Sequence, residues 1–98
     1  MAISMVLMII TTGSIIAQET ATIKGRIMGV DSIAIPYASV VLVNTSIGAA
    51  TNQSGSFELK GIAPGSYVLK VSSIGFLTIR QNVDIQSGDQ LTYNFEFQ

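Results

Sequence analysis

The chain has no cysteine and no histidine among its 98 residues, and only 11% of them carry charge. Without cysteine there is neither a disulfide framework nor a thiolate metal site, so the core must hold the fold without covalent help. Without either residue, the usual nucleophile–base pairs lack a general base at neutral pH. The five cations, Lys24, Arg26, Lys60, Lys70 and Arg80, are scattered, and the formal net charge is −1. Phosphate binding needs a clustered Lys/Arg footprint, so the charge pattern argues against nucleic acid as a partner. The acids are equally dispersed. Glu58, Asp84 and Glu96 fall at solvent-facing positions with no second acid beside them, which argues against a carboxylate pair. Asp31, Asp84 and Asp89 are isolated, with no alternating ligand run of the calcium-loop kind. This inventory points away from an enzyme, a cofactor site and a metal site, and the length allows one small domain.

Charge is also missing from residues 1–17, where Met5 to Ile10 is continuously apolar and Thr11-Thr12-Gly13-Ser14 breaks the run. An apolar stretch of about 7–15 residues ending at a small residue describes a signal peptide, here cleaved after Ala17. A retained anchor is the alternative, although a spanning helix would want about 20 apolar residues without such a break. Residues 18–21 then read as a polar linker, and residues 22–98 as the folded domain.

What the domain has is period-two alternation. Ile23 and Ile27 share one face and Lys24 and Arg26 the other, which predicts a strand with one dry side. Pro36 lies in the loop that follows, and Ala38–Val43, small and β-branched on both parities, predicts a strand buried on both sides. Thr51–Phe76 is the organising stretch. A turn at Asn52–Gly55, a strand Ser56–Leu59, a turn at Pro64-Gly65 and a strand Tyr67–Val71 are expected to form one antiparallel unit. Leu77, Ile79, Val83 and Ile85 share a core parity, as do Leu91, Tyr93, Phe95 and Phe97 on the last strand. About seven strands at intervals near 8–12 residues, without a helical period, predict an all-β antiparallel sandwich.

Asn52 and Gly55 are expected to serve the turn itself, by local side-chain bonding and positive φ, and not a ligand. Gly48, Gly65 and Gly75 have the same structural reading. Asn44-Thr45-Ser46 and Asn52-Gln53-Ser54 match the glycosylation sequon, which matters only in a eukaryotic secretory setting. Phe57, Tyr67, Tyr93, Phe95 and Phe97 sit at core parity, leaving Tyr37 and Phe76, nearer to loops, as candidate contacts for a ligand or partner.

The spaced motifs Gly25, Ile27, Pro36, Ala38-Ser39-Val40, Thr45, Gly48, Thr51-Asn52-Gln53-Ser54-Gly55-Ser56-Phe57, Pro64-Gly65-Ser66-Tyr67 and Ile74-Gly75-Phe76 resemble the carboxypeptidase regulatory-like domain, a sandwich of the transthyretin (prealbumin) type. Gly29 stands where the family often has Asp, Tyr37 and Asn44 where Gly is usual, and Asn52 where Asp is usual. The Tyr37 and Asn44 departures bear on local loop conformation and not on the fold. A signal peptide followed at once by such a domain, with Gln18-Glu19 after the cleavage point, is similar to the start of a SusC-like TonB-dependent outer-membrane receptor. In the metallocarboxypeptidases the domain is accessory and holds none of the zinc chemistry.

The resemblance implies a non-catalytic accessory domain of TonB-dependent nutrient uptake, in the periplasm or outer membrane of a Gram-negative bacterium. It would offer a sheet edge or loop surface to a protein partner such as a receptor plug or barrel. Lys24, Arg26 and Arg80 are candidates for rim charge, and the membrane is met only through the signal segment or the partner. The rival reading is a carbohydrate-binding module using Tyr37 and Phe76.

Overall fold

The computed structural model describes residues 19–98, and the expected signal segment lies outside the described residues. In chain order the strands are β1 (Ala21–Met28), β2 (Ser39–Leu42), β3 (Gly48–Ala50), β4 (Ser56–Ile62), β5 (Gly65–Ser72), β6 (Ile79–Ile85), β7 (Gln90–Thr92) and β8 (Phe95–Glu96), with one 3₁₀ turn at Val30–Ser32. They form two sheets. One has the order β4-β1-β7, with β8 also paired to β1, and the other β3-β2-β5-β6. The layers enclose a core that includes Ile23, Ile27, Val40, Leu42, Phe57, Leu59, Leu69, Val71, Val83 and Phe97. The all-β sandwich expected from alternation is therefore what forms, because two facing sheets bury the inward apolar faces of both layers in one core. Among the described residues, no helix is long and apolar enough to cross a membrane.

Several local expectations need correction. The stretch Thr51–Phe76 is not one antiparallel unit: β4 pairs with β1, while β5 pairs with β2 and β6. The turns at Asn52–Gly55 and Pro64 therefore carry the chain across the sandwich. Alternation permits this as readily as side-by-side pairing, since Phe57 and Leu59 reach the core from one layer and Leu69 and Val71 from the other. The β2 segment is not buried on both sides. Val40 and Leu42 are buried, but Ser39 is exposed and Val41 only half-covered, because an antiparallel sheet of this kind leaves one face to water. Leu77 shares the parity of Val83 yet lies in the loop before β6 and is 89% exposed. Ala21, expected in the linker, opens β1 opposite Ile62 and is fully buried.

The strand expected to end at Leu59 runs on to Ile62. Gly61, at φ +73, forms a bulge there: Ile23 faces Leu59 but Ala21 faces Ile62. The extra residue returns Ile62 to the core side, which simple alternation would have denied it.

The last segment also departs from expectation. It is two strands and not one, and both run parallel to β1. Between them the N–H of Tyr93 donates to the Lys24 carbonyl at 2.9 Å. This close approach needs Gly25, since a methyl group there would overlap the carbonyl oxygen of Tyr93. Phe97 then fills the core, 1% exposed, while Tyr93 and Phe95 pack against it half-buried.

Replacing Gly25 by Ala should therefore lift the C-terminal strands from β1. The expected cost is at least about 2 kcal/mol in urea unfolding, because main-chain atoms must move. The Tyr93 and Phe97 amides should lose hydrogen-exchange protection before those of β5.

Candidate functional site

Exposed apolar side chains gather at one end of the sandwich, on two loops. The β1–β2 loop (29–38) carries Val30, Ile33 and Tyr37, and the β5–β6 loop (73–78) carries Ile74 and Leu77. Tyr37 is 74% exposed and Ile74 fully so. The two loops meet: Tyr37, Ser39, Ser72, Ser73 and Ile74 line a shallow hollow of about 350 Å³.

The β1–β2 loop is held from beneath by Thr51, a side chain 2% exposed. Its hydroxyl accepts from the Ala38 N–H at 2.9 Å and donates to the Ile35 carbonyl at 2.6 Å. Its main chain adds two bonds, accepting from Tyr37 N–H and donating to the Ala38 carbonyl, both at 2.9 Å. Pro36 sits inside this clamp, and Tyr37 is forced to φ +60. A bulky residue in the left-handed region costs roughly 1–2 kcal/mol, so the exposed ring is presented at the expense of backbone strain. Asn44 takes φ +64 in the same way. Both residues thus adopt the left-handed backbone that glycine takes most readily.

The β5–β6 loop is a tight turn. The Phe76 N–H donates to the Ser73 carbonyl at 3.2 Å, and Gly75 takes φ +89 at the position where such a turn requires it. This throws Ile74 outward and turns Phe76 inward. Phe76 stacks on Phe97 with ring centroids 4.7 Å apart and is only half-exposed. Sequence reasoning paired Tyr37 with Phe76 as the exposed rings, and that pairing is corrected. Phe76 anchors the loop, while Ile74 is the neighbour of Tyr37 at the surface. The aliphatic exposure of Ile74 and Leu77 was missed because both sit where alternation or turn chemistry assigns them a structural role. Thr51 was missed as well, since nothing in its type or spacing marks it as the clamp.

The remaining turn residues do what turns require, with one exception. Asn52 accepts through Oδ1 from the Ser54 N–H, the Ser54 hydroxyl and the Ser56 N–H at 2.8–3.0 Å. Gly55 takes φ +78 with its α-carbon against the Ile27 carbonyl. Pro64 and Gly65 lead into β5, where the Tyr67 hydroxyl donates to the Ala63 carbonyl at 2.7 Å. Gly48 is the exception: it lies in β3 without positive φ, and its smallness suits a close neighbour, the Val40 carbonyl.

The polar groups are spread over the two outer faces. Glu58 pairs with Lys60 at 2.9 Å, Asp84 accepts from the Ser66 hydroxyl at 2.8 Å, and Glu96 lies exposed on β8. Arg26 is exposed and held in place, its guanidinium donating to the Ser54 carbonyl at 3.2–3.3 Å. Lys24 and Arg80 point to water.

The carboxypeptidase regulatory-like domain family matches residues 22–98. The chain belongs to that family. The match is to a regulatory-like β-sandwich domain and not to a catalytic family. Among curated proteins none matches significantly.

Solved structures share the fold of this regulatory-like domain. A chain of a type II cohesin–X-dockerin complex from Acetivibrio cellulolyticus, an N-terminal interface mutant, superposes with a TM-score of 0.68 at 24% identity, over 79% of this chain and 56% of that one. Catechol 1,2-dioxygenase from Acinetobacter gives 0.63 at 10% identity, over 87% and 54%. A putative carbohydrate-binding protein from Bacteroides uniformis gives 0.57 at 13%, over 79% and 40%. The chain thus spans about half the length of the solved structures it matches. At these identities the likeness is one of fold alone.

Replacing Thr51 by Val keeps its shape and removes the hydroxyl. The Ala38 N–H is then left buried without a partner, at an expected cost of about 2 kcal/mol. A lowered denaturant midpoint with unchanged slope, and new amide exchange confined to residues 35–38, would check it.

Proposed function

We propose that this regulatory-like domain is a non-catalytic docking module of an exported protein, serving TonB-dependent nutrient uptake at the outer membrane. It acts from the periplasm or outer membrane of a Gram-negative bacterium, where its partner is a receptor plug or barrel. One observation carries the docking part: the strained, exposed Tyr37 beside Ile74, on an end that also presents Ile33 and Leu77. Contiguous exposed apolar side chains mark interaction sites, and backbone strain persists where function retains it. The uptake setting is supported by the apolar run Met5–Ile10, the Gln18-Glu19 junction that follows Ala17, and the regulatory-like domain that comes directly after it.

A second reading has its own support. The hollow beside Tyr37 is also lined by Ser39, Ser72 and Ser73, and a sugar ring can stack on such a tyrosine while its hydroxyls bond serines. A solved structure of the same fold is described as a putative carbohydrate-binding protein.

The experiment is calorimetric titration of the domain with the plug of a TonB-dependent receptor encoded beside it, and separately with starch-type and other polysaccharides. For the docking reading, Ile74→Asp and Tyr37→Gly each weaken plug binding by roughly tenfold or more, as loss of a buried anchor does. Tyr37→Gly should at the same time raise stability by up to about 1 kcal/mol, since it relieves the left-handed strain at some entropic cost. Plug binding untouched by both substitutions would sink this reading, and polysaccharide binding lost on Tyr37→Ala would establish the rival. The export half is checked on the mature protein, whose N-terminal sequence should begin at Gln18; a start at Met1 would defeat it.

A further inference from the structure

Strand β6 forms an edge of the sheet β3-β2-β5-β6, and its pairing with β5 runs through seven consecutive residues without a bulge. No proline interrupts it. The hydrogen-bonding direction of each of its residues can be fixed. The Val68 carbonyl accepts from the Val43 N–H at 2.9 Å, so the polar main-chain groups of Val68 face β2. Its partner on β6, Asn82, therefore sits in a non-hydrogen-bonded pair and turns its N–H and C=O to the open side. By the same alternation Arg80 and Asp84 do so too. The side-chain amide of Gln81 donating to the Asn82 carbonyl at 3.0 Å agrees, for that carbonyl is free of β5.

These three residues, read in the opposite direction, are their own complement. An antiparallel copy of β6 laid against the open side about a two-fold axis at Asn82 sets Arg80 opposite Asp84 at one place and Asp84 opposite Arg80 at the other. Three outward donors from each copy make about six main-chain hydrogen bonds in this register. On the core side Ile79 comes opposite Ile85, extending the apolar layer.

A second feature favours this occupant. Within one copy Arg80 lies directly opposite Lys70, in a non-hydrogen-bonded pair where side chains are closest. Like charges so placed repel. The ion pair found among the described residues is Lys60–Glu58, which leaves both of these cations without a salt bridge. A second copy brings the carboxylate of Asp84 beside Arg80, on the side away from Lys70.

We infer that this protein self-associates through β6, forming a continuous eight-stranded sheet across a two-fold axis at Asn82, with reciprocal Arg80–Asp84 pairs locking the register. This goes beyond the docking proposed above, which uses the loop end and not the edge. To form the seam, Gln81 must release the Asn82 carbonyl, so the side chain that caps the edge in one copy also competes with pairing.

The test is sedimentation of the full-length chain across a dilution series, with variants compared. The apolar leader is common to all of them, so any association it drives does not follow the charges. Arg80→Asp and Asp84→Arg should each raise the dimer dissociation constant by roughly tenfold, since two attractive pairs become repulsive. The double variant should regain the original value. Arg80→Asp also relieves the contact with Lys70, so its thermal midpoint should not fall, which separates lost pairing from lost folding. Because the chain has no cysteine, Asn82→Cys supplies a unique thiol at a spacing of about 5.5 Å from its mate, within reach of a disulfide. It should oxidise to a covalent dimer faster than Ser66→Cys, one strand inward. A monomer at every concentration, association indifferent to the charge reversals, or equal cross-linking of the two cysteine variants would overturn the inference.

Discussion

The sandwich closes where its first and last strands lie side by side, at the contact between Gly25 and the Tyr93 carbonyl. Strand β1 is bonded on both flanks, to β4 on one and to β7 and β8 on the other. Joining residues so far apart in sequence costs chain entropy that grows only slowly with loop length. That cost is offset by burying Phe97 and half-burying Tyr93 and Phe95 against the shared core. The arrangement has no slack at Gly25, which is why one absent side chain decides whether the final strands can dock. The Ser87–Asp89 turn is tied in from the opposite direction, since Gly88 N–H and the Ser87 hydroxyl both donate to the Glu19 carbonyl.

How far the fold was legible in the sequence depends on the range of each signal. Alternation in Ile23–Ile27 and Leu91–Phe97 announces strands with one dry side; the first forms as β1, and the second is broken at Tyr93 into β7 and β8. Alternation says nothing of which strand lies beside which, so the crossing of the chain between layers after Thr51 and again at Pro64 was invisible. The parallel run of β7 and β8 was equally so. Gly61 could be read as a turn residue, but its role as a bulge that restores Ile62 to the core depends on the partner strand. The Asn52 turn was legible, because its hydrogen bonds close within four residues.

The loop end was half-legible for a related reason. Pro36-Tyr37 and Ile74-Gly75 mark loops, and an aromatic ring in a loop suggests exposure. Whether a given ring turns in or out is decided by long-range partners: Phe97 draws Phe76 inward, and the Thr51 hydroxyl fixes the backbone that pushes Tyr37 outward. Tyr37 sits at φ +60, in the left-handed region that glycine adopts most readily. The fold carries the strain of a left-handed aromatic, and the side chain so displayed is an addition to the loop and not a disruption of it.

The parallel order of the terminal strands has a mechanical corollary. The domain is entered at one pole, beside the Ser87–Asp89 turn, and left at the other, beside Met28 and the loop end. Tension applied along the polypeptide would drag β1 and β8 past one another lengthwise, so their cross-bonds bear the load together in shear and do not peel apart in turn. Strands arranged this way resist stretching until their cross-bonds fail together.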